Sequence, residues 1–162
     1  MYAVKKDKHH NNKAGSTPAG MVQRKMGSNQ TRIITAKKVK VIFMYYFLIC
    51  FYVLDYCFFS NRELMMKNDD LGLLLGTMDP DMLTDGTPVD PAVLDDWNSI
   101  FKSVPSSDHE LIDLIDSFLE YYEKNEGFDF PFARKILKQN EVLNYVKTAK
   151  EKALETCKKY DY

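Results

Sequence analysis

Two pairs of adjacent carboxylates, Asp69-Asp70 and Asp95-Asp96, and the aspartate-studded stretch between them have the most capacity for chemistry in this chain. Paired acids can relay protons or hold a divalent cation, provided their side chains converge. Neighbouring residues on a helix diverge by about 100°, so neither pair converges on one substrate by itself. A calcium loop aligned on Gly86 would need an oxygen ligand where Leu83 stands and a bidentate Glu where Ala92 stands, so that pattern fails. No HExxH, Ser-x-x-Lys or Gly-x-Ser-x-Gly occurs, and beyond the N-terminal segment the only histidine is His109. His9-His10 in a polar tail reads as solvated rather than ligating. Without a positioned base, nucleophile or metal, the expectation is a protein that is not an enzyme and has no cofactor.

The acids are therefore read as a surface. From Asn68 to Glu126 there are 15 acidic side chains against two basic ones, Lys102 and Lys124. The net charge of −1 over 162 residues conceals a division, with ten Lys/Arg and one Asp in residues 1–40. That division describes a basic leader (1–40), expected to be disordered, attached to an acidic body (41–162). The leader lacks the interleaved aromatics of a nucleic-acid-binding arm, so a nucleic-acid partner is not expected. Cys50, Cys57 and Cys157 form no CxxC pair and no even framework, which favours free thiols in a reducing, cytoplasmic compartment.

The elements that carry these acids read as helices throughout, since no segment alternates with a period of two. Residues 41–59 (VIFMYYFLICFYVLDYCFF) are apolar on every side and interrupted by Asp55. They fit the buried central helix of a bundle; the alternative is a single-pass membrane span, outside which the acidic domain would lie. Residues 69–78 predict a short helix capped by Asp69 or Asp70, with Gly72 and Gly76 on one face. Asp79-Pro80 and Asp85-Gly86 predict a loop, and Asp90-Pro91 predicts a helix over 90–103 with Val93, Trp97 and Ile100 facing the core. Ser107 with Glu110 is a capping box opening a helix to about Lys124, with Asp113, Asp116 and Glu120 on its outer face. Helices over about 131–138 and 141–159 complete an all-α bundle of five to six helices.

The run DDLGLLLGTM…DGTPVDPAVLDDW resembles the immunity proteins of bacterial polymorphic toxins and contact-dependent growth inhibition systems. The matching positions are Asp69, Asp70, Leu71, Gly72, Leu74, Leu75, Gly76, Met78, Asp85, Gly86, Asp90, Pro91, Ala92, Asp96 and Trp97. The resemblance implies a protein that neutralises a cognate toxin domain by stoichiometric binding, the toxin in many such systems being a nuclease with a positive cleft. An acidic surface suits such a cleft through electrostatic steering. The contact residues expected on this reading are Asp79, Asp81, Asp85, Asp95, Asp96, Asp113, Asp116 and Glu120.

Overall fold

The computed structural model describes the backbone of residues 26–162 and the side chains of residues 37–162. The fold is all-α, with seven helices and no strand among the described residues: α1 (Met26–Ser60), α2 (Arg62–Asn68), α3 (Leu71–Met78), α4 (Ala92–Ile100), α5 (Asp108–Asn125), α6 (Ala133–Leu137) and α7 (Asn140–Lys159). The helix count exceeds the expected five to six because of α2. Its seven residues, RELMMKN, have no apolar period and bury only Met65. A compact unit runs from Thr35 to Tyr162, and residues 1–25 of the expected leader, with His9-His10, lie outside the described residues.

From Val41 onward α1 is apolar all round, so no single partner element can cover that part. From Phe43 to Phe58 none of its side chains is exposed, and Phe47 to Phe51, Val53, Leu54 and Cys57 are fully buried. One side meets α4 and its C-cap: Phe47 lies edge-on to Trp97 (centroids 6.2 Å apart) and Tyr46 tilts against Phe101 (5.5 Å). Another side meets α7, where Tyr56 stacks on Tyr145 at 4.2 Å and the Tyr52 hydroxyl bonds Thr156 Oγ1 at 2.6 Å. α3 closes the C-terminal end, with Gly72 so near the Phe58 ring that a Cβ there would sit 3.1 Å from it. The four tyrosines of the run are all half-buried.

Trp97 is the anchor its spacing predicts. It is fully buried between Phe47, Phe101 and Phe118, edge-on to the last with centroids 5.3 Å apart. Its indole N–H has no hydrogen-bond partner among the described residues, an omission that costs about 1–3 kcal/mol against the packing that keeps it there.

α4 is assigned from Ala92, yet Pro91 already has helical dihedrals and the Asp90 carboxylate accepts from the Ala92 N–H at 2.9 Å. Asp90 therefore caps this helix as expected. At α5, Ser107 Oγ accepts from the Glu110 N–H (3.2 Å), while the Glu110 carboxylate reaches the N–H of Ser106 (2.7 Å) rather than that of the cap itself. α7 buries Val142, Val146, Ala149, Ala153 and Cys157, the stripe read from its spacing. Lys150 on this helix pairs with Asp108.

The Asp69-Asp70 pair does more than start α3. Asp69 Oδ1 accepts from the Leu71 N–H (2.9 Å), and its Oδ2 accepts from the N–H groups of Phe132 (3.1 Å) and Ala133 (2.8 Å). One carboxylate thus serves the first turns of α3 and α6 together, which places the start of α6 at Ala133 rather than Pro131. Asp70 completes the clasp: its N–H donates to Asp129 O (3.0 Å) and its Oδ2 accepts from the Asp129 N–H (2.9 Å). Burial pushes the Asp69 carboxyl above its ordinary range, and the three N–H donors and then neighbouring Asp70 act on it in opposite senses. Asp69→Ala removes all three acceptor bonds and should lower stability by about 2–4 kcal/mol. The change should appear as a lower urea midpoint, with Asp69→Asn intermediate because it retains one oxygen.

Candidate acidic binding surface

The eight acids singled out by sequence separate into three groups. Asp81, Asp96, Asp116 and Glu120 have partners within the fold. Asp81 Oδ1 accepts from Lys159 Nζ (2.7 Å) and from the Tyr160 hydroxyl (3.0 Å), and both contacts hold its carboxyl below the usual range. Asp96, expected among the contact residues, is turned toward α5 instead. It is half-buried, with Oδ1 taking the Tyr121 hydroxyl at 3.0 Å and Oδ2 the Tyr122 hydroxyl at 2.9 Å. Burial first, then this bond, raises the Tyr122 phenol far above its ordinary value.

Asp116 sits under Arg134, which donates Nε at 2.7 Å and Nη2 at 3.0 Å, while Arg134 Nη1 reaches Glu123 at 2.7 Å and Lys138 Nζ lies 3.0 Å from Asp116. A bidentate, partly buried guanidinium of this kind is the strongest ion-pair geometry in the structure. It ties α6 to the outer face of α5. Glu120 pairs with Lys124 one turn on, a solvent-screened contact.

Asp79 and Asp85 shape the loop between α3 and α4. Asp79 Oδ1 accepts from the Asp81 N–H (2.8 Å), and Asp85 Oδ1 from the Thr87 N–H (3.0 Å) and hydroxyl (2.6 Å). Gly86 has φ +76°, the left-handed conformation its turn position predicts. It lies under Tyr160 and Tyr162, so close that a Cβ there would overlap the Tyr160 ring and the Tyr162 hydroxyl. The C-terminal residues thus rest on this loop, a contact without a local signal in the sequence.

Asp95 and Asp113 form the third group. Both are exposed, and their carboxylates make no hydrogen bond or ion pair among the described residues. Exposed Asp90, whose carboxylate is within reach of no Lys or Arg among those residues, stands with them. Between Asp79 and Asp113 the chain has nine acids and a single base, Lys102. Of these nine only Asp81 and Asp108 take part in ion pairs among the described residues. No cluster of three or more His, Cys, Asp or Glu side chains that could hold a metal occurs among the described residues. Sequence reasoning anticipated Asp69 as a cap of α3 but missed the bonds of Asp69 and Asp70 to residues 129–133 and the roles of Arg134, Tyr121 and Tyr122. Matched against known protein families, curated proteins and solved structures, the chain finds no counterpart.

Asp116 has a testable pH signature. Its carboxyl is held below the usual range, first by the Arg134 hydrogen bonds. A depressed folded value means that the pair stabilises the protein above the unfolded value of about 4 and loses that contribution as pH falls through the folded value. The unfolding free energy should therefore drop between about pH 5 and pH 2. Arg134→Met should remove part of that slope, and an unchanged slope would show that the pair contributes nothing to acid stability.

Proposed function

We propose that this chain is a non-enzymatic binding protein of the immunity type, which neutralises a cognate, positively charged toxin domain by stoichiometric association. The observation that carries the reading is the run from Asp79 to Asp113, where the acids greatly outnumber Lys102 and most have no basic partner among the described residues. Arg134, Lys138 and Lys124 instead neutralise the acids Asp116 and Glu120 farther along α5. An uncompensated acidic face on helices braced from beneath suits a cationic cleft, because the charges are oriented before the partner arrives. The internal bonds of Asp81, Asp96, Asp116 and Glu120 move the weight of the proposed contact onto Asp85, Asp90, Asp95 and Asp113.

Testing needs the chain and a basic toxin domain encoded beside it. Association should be fast and should slow steeply with added salt. The double variant Asp95→Lys, Asp113→Lys touches two side chains without partners among the described residues, so stability should change by no more than about 0.5 kcal/mol. Its association rate should fall by about tenfold or more. Equal rates for the variant and the parent protein would remove the acidic face from the contact.

A second reading rests on α1, whose segment Lys37–Ser60 is long and apolar enough to cross a membrane, at a mean hydropathy of 1.9. From Phe43 to Phe58 that helix has no exposed side chain, being buried or half-buried against its own chain, an arrangement that supports the bundle reading, since a spanning helix would turn an apolar side to lipid. The three cysteines are free and buried, in keeping with a cytoplasmic protein. Fractionation separates the two readings: the bundle predicts recovery in the soluble fraction without detergent. Retention in a carbonate-washed membrane pellet would favour the anchored form.

A further inference from the structure

A hollow of about 240 Å³ opens where the α4–α5 connector runs past the first half of α5. Pockets that take whole small ligands are generally larger, roughly 300–1,000 Å³, so this one is sized for a single side chain. Ile100, Pro105 and Leu114 supply apolar lining, and Glu110 and Asp113 add two carboxylates, three residues apart and hence on one side of α5. Glu110 uses one oxygen, Oε2, on the Ser106 N–H, and the Asp113 carboxylate is unbonded among the described residues. Lys102 also lines the hollow but pairs with neither acid. Apolar lining beside two carboxylates complements a guanidinium on a hydrocarbon stem: the stem needs a dry surface, and the planar head is weakly hydrated and donates in a fork.

We propose that this hollow seats an arginine side chain of the basic partner, its stem against Ile100, Pro105 and Leu114 and its guanidinium between Glu110 and Asp113. The proposal rests on the binding-protein reading and supplies a chemical identity for one of its contacts. Lys102 then acts as a competitor at the rim, weakening the seat for any cation.

The test uses the full chain and N-acetyl-arginine amide as probe, followed by methyl NMR of Ile100 and Leu114. Saturable shifts are expected, with a dissociation constant on the order of millimolar for so small a ligand. The neutral isostere N-acetyl-citrulline amide should give no saturable shift. Glu110→Gln with Asp113→Asn, which preserves the capping geometry of α5, should weaken the arginine response about tenfold or more. Lys102→Ser should strengthen it by about two- to threefold. An equal response to citrulline, or an arginine response indifferent to the paired substitution, would overturn the proposal. A chain that captures its basic toxin domain in a salt-sensitive way yet shows no arginine response loses the pocket and keeps the function. An arginine response without any basic partner has the reverse meaning.

Discussion

A helix that is apolar on every side must be covered on every side, and the second half of α1 imposes that requirement on the rest of the unit. α3, α4 and α7 each contribute a face to it, through Gly72 against Phe58, Trp97 and Phe101 against Phe47 and Tyr46, and Tyr145 and Thr156 against Tyr56 and Tyr52. α4 and α7 are amphipathic and turn their apolar stripes inward, so their polar sides face out, whereas α3 leaves Gly72, Leu73 and Gly76 exposed. The acidic surface is the remainder of that arrangement. Asp95 is exposed because Trp97 and Val93, on the same short helix, are committed to the core.

Covering α1 with short helices brings a second difficulty, because helices of five to nine residues leave much of their backbone without internal partners. The Asp69-Asp70 clasp meets it for α3 and α6 together, and Arg134 fastens α6 a second time through Asp116 and Glu123. Carboxylates in this protein therefore have two distinct occupations. Some satisfy backbone N–H groups or ion-pair within the fold, and others stand in solvent without a partner among the described residues. Composition makes all of them look alike, and only the first kind is needed for folding. Asp95 and Asp113 are of the second kind: both are exposed and make no bond among the described residues.

Helix identity was readable because it depends on local spacing. The 3.6-residue stripes of α5 and α7, the Ser107 and Asp90 caps, Trp97 as an anchor and the turn at Gly86 all follow from residues within one or two turns of each other. The short α2 escaped notice for the complementary reason, since one buried residue produces no period. Reading Asp96 as outward-facing failed because its partners, Tyr121 and Tyr122, lie on another helix and become neighbours only when α4 packs on α5.

The amino-acid order by itself therefore determined the all-helical class, the starts of α4 and α5 and the excess of acid between Asp79 and Asp113, each a matter of local spacing or simple count. Tertiary structure alone decided which carboxylates are consumed by partners distant in the chain. Asp69 meets Phe132 and Ala133, Asp116 meets Arg134, and Asp81 meets Lys159 across separations that no local pattern encodes. A carboxylate's role is set by the donors within about 3 Å of it. Those donors are assembled only when the chain closes around α1.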